Sequence, residues 1–125
     1  MSNLDLYLEE RQRYVQKAKA ASFLDAVFLI VFYNRDVKRW GPPPKPDDIE
    51  PTEVFEEMQD NRYQDALTRS HRLLSASTEV GAAFFRYQHA KLTYEEQLTR
   101  FKASNPGFSE ECYSLAASSG IRDMR

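Results

Sequence analysis

The chain has 125 residues, a length typical of one domain, and 42% of them are hydrophobic, which is enough to build a core. Its net charge of −2 argues against general affinity for nucleic acid or an anionic membrane, and its one cysteine excludes an internal disulfide and a cysteine zinc site. There are only four glycines, and four of the six prolines lie in one stretch, so the composition favours long helices.

The first predicted element, residues 3–21, is an amphipathic helix with one half-exposed face. Its apolar stripe is interrupted by Arg11 and consists of Leu4, Tyr7, Leu8, Tyr14, Val15 and Ala18. Ser22 followed by Asp25 resembles a capping box with Asp in place of Glu. Two arrangements are therefore open: one bent helix over about 3–39, or two helices that meet near Ser22.

The sequence FLDAVFLIVFY, residues 23–33, is apolar on every side when it is drawn as a helix. Such a helix must be surrounded by other groups, so we predict a buried central helix over about 22–39, with Leu29 and Val31 both buried on opposite sides. The run is too short to span a membrane, and a strand has no second strand-like run to pair with. Asp25 is interpreted as a first-turn residue of a new helix, or else as a buried acid that needs a partner.

A proline-rich connector is predicted at 41–51, because proline cannot continue a helix. The segment should be extended and stiff, and it most simply turns the chain. Pro43 and Pro46 formally match a P-x-x-P ligand for SH3-like grooves, but this match has little specificity.

An acidic segment follows, which we define as residues 45–60. It contains one lysine and seven carboxylates: Asp47, Asp48, Glu50, Glu53, Glu56, Glu57 and Asp60. A helix is predicted to begin at Pro51 or Thr52. The charge suits a surface that attracts a basic partner. The alternative is that these carboxylates pair with the basic helix predicted next in the chain, at 62–91.

The pattern at 62–91 has no proline and follows steps of three and four residues, so it predicts one long helix. Ser70, Ser77 and Gly81 form a seam of small residues where another helix could approach closely, and the apolar run at 23–33 is the expected partner.

Two capped helices are predicted at the C-terminal end. Thr93 opens a helix to about Ala103 through a capping box with Glu96, and Ser109 caps the next one. The pair Phe108 and Tyr113 has the spacing of a hydrophobic staple, and Gly120 is predicted to be a left-handed C-terminal cap.

No pattern in the sequence indicates catalytic chemistry. His71 and His89 lie five helical turns apart and cannot share a metal within one chain, and Cys112 has no histidine near it in sequence. Phosphate-binding and nucleophile-elbow motifs are absent. We therefore expect a non-enzyme without cofactor or metal.

These patterns together predict an all-α fold: residues 1–125 as a single helical domain, a bundle of four to six helices around the buried helix. We expect a cytoplasmic protein, since acidic residues stand where a signal peptide would be basic, and no membrane association. Its predicted function is to bind a protein with a basic surface through the acidic segment, as an adaptor, inhibitor or immunity-type neutraliser does.

Two further expectations concern association. The aromatic stripe on the first helix favours a homodimer. The alternative function is a helix-turn-helix DNA-binding regulator that uses residues 94–119. Its basic contacts would come from Arg100, Lys102, Arg122 and Arg125, but Glu110 and Glu111 would face the phosphates, so we expect no nucleic-acid partner.

Overall fold

The computed structural model describes residues 3–87 and 91–124. Within them the chain forms five α-helices and no strand, so the predicted all-α fold and helix number are confirmed. The helices are α1 (Asn3–Ala20), α2 (Phe23–Arg35), α3 (Asp60–Phe85), α4 (Tyr94–Ser104) and α5 (Glu110–Asp123). The chain divides into two compact units, residues 1–67 and 68–125, with the boundary inside α3. The organisation of 1–125 as one domain stays a prediction.

Ser22 separates α1 from α2, so two helices form rather than one bent helix. Its backbone is extended and its Oγ accepts a hydrogen bond from the backbone N–H of Asp25 at 3.4 Å, which caps α2. Asp25 therefore lies in the first turn of a new helix, as the first interpretation held, and it is also buried.

The α2 helix is buried on every side. All residues from Asp25 to Tyr33 are buried, and Leu29 and Val31, on opposite sides, are only 3% and 7% exposed. The α-helix is shorter than the predicted 22–39, however. The backbone N–H of Asp36 donates to the carbonyl of Phe32 at the end of α2, and a 3-10 turn at Val37–Arg39 follows it in the chain.

The core of the first unit joins three parts of the chain. Val15 of α1 packs with Ile30 and Tyr33 of α2, and Ile49 of the acidic segment completes the cluster. The ring of Tyr14 lies 5.5 Å from that of Tyr33, measured between centroids. The stripe on α1 is thus used partly inside the unit.

The prediction of a helix that begins at Pro51 or Thr52 is wrong beyond the first turn. Only a 3-10 turn, Pro51–Glu53, forms, and α3 begins at Asp60. Val54 and Phe55 instead pack against the apolar cluster of the first unit. Tertiary packing therefore decides the conformation of this segment.

The end of α3 also differs from the predicted helix over 62–91, because α3 stops at Phe85. Arg86 adopts a left-handed conformation with φ of 57°. The N–H of Arg86 bonds to the carbonyl of Ala83, and that of Tyr87 to the carbonyl of Ala82. This is a Schellman cap with arginine in the position that glycine usually occupies, which is why the sequence pattern did not predict it.

In the second unit, the predicted starts of α4 and α5 are confirmed. Thr93 Oγ1 accepts from the N–H of Glu96 at 3.2 Å, and Ser109 Oγ accepts from the N–H of Cys112 at 3.3 Å. The rings of Phe108 and Tyr113 are 6.0 Å apart, as a hydrophobic staple requires.

The predicted role of Gly120 is wrong. It lies inside α5, which continues to Asp123, and its function is to allow close packing. A Cβ atom at Gly120 would lie 2.0 Å from the carbonyl oxygen of Ser77, and one at Gly81 would lie 2.3 Å from that of Gly120. At Ser77 and Gly81 the neighbour of the small seam is therefore α5, and the expected packing of 23–33 on the seam stays a prediction.

Candidate partner-binding surface

The acidic segment is fixed to the first two helices by three polar side chains. Arg11 extends from α1, Asn34 from the last turn of α2, and Lys38 from the 3-10 turn that follows α2. Each of them donates to backbone carbonyls of the segment. Because these hydrogen bonds are made to the main chain, they fix the path of the segment independently of the conformations of its acidic side chains.

Arg11 makes the most bonds. Its Nε donates to the carbonyl of Asp47 at 3.0 Å and its Nη2 to the carbonyl of Asp48 at 2.8 Å. The two terminal nitrogens also donate to the two carboxylate oxygens of Glu53, at 2.9 and 2.7 Å. A planar guanidinium is suited to such a bidentate contact.

The ion pair of Arg11 and Glu53 favours the charged form of both groups. The hydrogen bonds from Arg11 and from the backbone N–H of Glu50 lower the pKa of the Glu53 carboxyl below its ordinary value. The same contact with Glu53 raises the pKa of the Arg11 guanidinium. Both charges therefore persist throughout the neutral range.

Asn34 holds the middle of the segment through a pair of hydrogen bonds to one residue. Its Nδ2 donates to the carbonyl of Ile49 at 3.0 Å, and its Oδ1 accepts from the N–H of Ile49 at 2.7 Å. The side chain of Ile49 is buried in the core of the first unit. Asn34 thus satisfies both backbone groups of a residue that enters the core.

The start of the segment and the proline-rich connector are held in the same way. Lys38 Nζ donates to the carbonyl of Pro46 at 3.3 Å and forms an ion pair with Asp48. The hydroxyl of Tyr7 donates to the carbonyl of Pro42 at 3.0 Å. Lys45 Nζ donates to the carbonyl of Trp40. Pro46 is buried, so the formal P-x-x-P match has only one accessible proline.

All seven carboxylates predicted as site residues belong to exposed residues, and they fall into two groups. Glu53 and Asp48 pair with Arg11 and Lys38. The other five form no ion pair with the described part of the chain. They are Asp47, Glu50, Glu56, Glu57 and Asp60. Neither Arg11 nor Lys38 belongs to the basic helix that the sequence suggested as the internal partner.

Sequence reasoning did not identify Arg11, Asn34 and Lys38 as site residues. Arg11 gave a signal, since a charged residue in the middle of an apolar stripe requires a polar partner on that face. Asn34 and Lys38 gave none, because polar residues after an apolar run are ordinary helix ends.

The alternative function, a helix-turn-helix over 94–119, is not tested by the arrangement of α4 and α5 and stays a prediction. Lys102 pairs with Glu110 at 2.7 Å, and Glu110 and Glu111 are exposed at the start of α5. Arg100 is exposed, Arg122 is half-buried, and Arg125 lies outside the described residues.

The remaining candidates for chemistry are dispersed. His71 is exposed, His89 lies outside the described residues, and Cys112 is buried. Across 3–87 and 91–124, no three His, Cys, Asp or Glu side chains come together as a metal site would require. In those same ranges, each helix is either too short or too polar to cross a bilayer.

The acidic segment thus carries five carboxylates on exposed residues outside ion pairs with the described residues, which we call the outward carboxylates, on a main chain fixed by Arg11, Asn34 and Lys38. One of the five, Glu50, also accepts a hydrogen bond from the backbone N–H of Glu53 within the capping box of the 3-10 turn. No family model, curated protein or solved structure matches the chain, so its interpretation rests on this geometry.

Proposed function

We propose that this protein acts without catalysis, by binding a protein that presents a basic surface to the acidic segment. The observation that carries the proposal is the contrast between main chain and side chains. The main chain of 46–49 is fixed by hydrogen bonds from three side chains, whereas five carboxylates of the segment remain exposed and outside ion pairs with the described residues.

This arrangement supports binding in two ways. A segment that is already ordered loses little conformational entropy when a partner binds, so more of the interaction energy appears as affinity. Exposed charges of one sign also accelerate encounter with a partner of opposite charge. Adaptors, inhibitors and neutralisers of other proteins all work by such contacts, and we propose that this chain does so in the cytoplasm.

A capture experiment tests the proposal. The five outward carboxylates are neutralised together, as Asp47→Asn, Glu50→Gln, Glu56→Gln, Glu57→Gln and Asp60→Asn. Native chain and variant are immobilised and exposed to extract of the cell that makes the protein. Basic proteins retained by the native chain should be lost from the variant.

A control variant separates the site from total charge. It removes five exposed carboxylates elsewhere in the chain: Glu9, Asp65, Glu79, Glu110 and Glu111. We expect it to retain the partner, and equal retention by the variant of the acidic segment would contradict the proposal. Binding should also weaken as salt is raised, because exposed charges are screened.

We also propose that the chain self-associates. The α1 stripe gives only partial support, since Val15 and Tyr14 pack inside the first unit. A different exposed surface, in the second unit, supports self-association better.

A further inference from the structure

The second unit carries four aromatic rings in one place, three exposed and one half-buried, which we define as the aromatic patch: Phe84, Phe85, Tyr87 and the half-buried Tyr94. The first three are 48%, 37% and 40% exposed, values that are unusual for aromatic residues so close together. The rings of Phe84 and Phe85 lie 5.0 Å apart, and those of Phe84 and Tyr94 lie 5.4 Å apart, both in edge-to-face contact.

The backbone and one hydrogen bond fix this patch. The left-handed conformation of Arg86 ends α3 between Phe85 and Tyr87. The hydroxyl of Tyr87 donates to the carbonyl of Met124 at 2.6 Å. Tyr94 begins α4, whose N-terminal cap on Thr93 is complete. The rings are thus presented at an ordered surface, where little entropy remains to be lost on binding.

The charges around the patch are of both signs. A cleft beside Phe84 and Tyr94 is lined in part by Arg86 and Lys91, and Glu95 follows Tyr94 in the first turn of α4. Arg86, Lys91 and Glu95 are all exposed. A surface that carries an apolar centre with cations and a carboxylate at its rim can be complementary to itself.

We infer that the aromatic patch is the interface at which a second copy of this chain binds, about a two-fold axis. In such an interface the same surface meets itself, so Phe84 packs against its counterpart while Arg86 of one copy faces Glu95 of the other. Aromatic centres with polar rims are the usual anatomy of interfaces. The inference rests on the self-association proposed above and assigns its surface.

Size-exclusion chromatography with light scattering over a concentration series tests both statements. The native chain should have twice the sequence mass of 14.6 kDa. Phe84→Asp should raise the dimer dissociation constant by about tenfold or more, as loss of a central aromatic does. Leu8→Asp is the matched control, since Leu8 is 47% exposed and lies on α1; it should remain a dimer.

The outcomes are distinct. A native mass of 14.6 kDa at every concentration would refute self-association itself. A native dimer that persists in Phe84→Asp, or that dissociates equally in Leu8→Asp, would refute the assigned surface alone. Far-UV circular dichroism verifies that both variants keep their helices.

A charge exchange adds a test that does not depend on removing a ring. Arg86→Glu and Glu95→Arg should each weaken the dimer, because each places like charges across the axis. The double variant should recover much of the lost affinity. Failure of the double variant to improve on either single one would contradict the pairing of Arg86 with Glu95.

Discussion

Replacing Arg11 with methionine removes the guanidinium that fixes the acidic segment and keeps most of the aliphatic stem. Four hydrogen bonds are lost: two to the carbonyls of Asp47 and Asp48, and two to the carboxylate of Glu53. The segment should become less ordered, and the free energy of unfolding should fall.

The expected loss can be worked out from these contacts. A hydrogen bond to a carbonyl contributes about 0.5–1.5 kcal/mol net, and there are two of them. The side chains of Arg11 and Glu53 are 17% and 37% exposed, so their ion pair is screened by water and adds about 0–1 kcal/mol. The free energy of unfolding should therefore fall by about 1–4 kcal/mol.

Urea denaturation followed by circular dichroism measures this loss. Arg13→Met is the control, because Arg13 is exposed on the same helix and the chemical change is identical. It should change stability by less than about 0.5 kcal/mol. Amide exchange at Ile49, whose N–H bonds to Asn34, should accelerate only in Arg11→Met. Equal stability of the two variants would refute the role assigned to Arg11.

Three further predictions concern acid stability, helix packing and the buried helix. The folded state lowers the pKa of Glu53, so the contribution of its carboxylate to stability is complete above the unfolded pKa of about 4.3 and is lost as pH falls through the folded pKa. The difference in stability between the native chain and Glu53→Gln should therefore shrink over that acidic range and stay constant from about pH 6 to 8. Gly120→Ala should destabilise the chain by about 1–3 kcal/mol in urea denaturation, because its methyl group would overpack against Ser77. A gain in stability would show that α5 has room for a side chain there. Ser118→Ala is the control, because Ser118 is exposed on the same helix, and it should have little effect. Leu29→Ala should cost about 2–5 kcal/mol by the same assay, and a loss below about 1 kcal/mol would be inconsistent with its burial.

The sequence predicted the features that depend on local chemistry. Ser22, Thr93 and Ser109 begin helices because each side chain can accept a hydrogen bond within its own first turn. The burial of α2 followed from its composition alone, since no side of that helix is polar enough to face water.

The errors concern contacts between distant parts of the chain. Gly120 looks like a helix end, but its lack of a side chain serves the approach of α5 to Ser77 of α3. The residues after Pro51 have helical propensity, yet Val54 and Phe55 gain more by packing on the first-unit core. The three side chains that position the candidate site act over separations of 8 to 42 residues, which periodicity cannot indicate.

The central claim is that the acidic segment attracts a basic protein, and the association rate with the captured partner tests it most directly. Stopped-flow mixing over about 0.05–0.5 M salt should show a rate constant for the native chain that falls steeply as salt rises. The variant without the five outward carboxylates should associate more slowly, with a much flatter dependence on salt. Equal rates and equal salt dependence for the two proteins would contradict the claim.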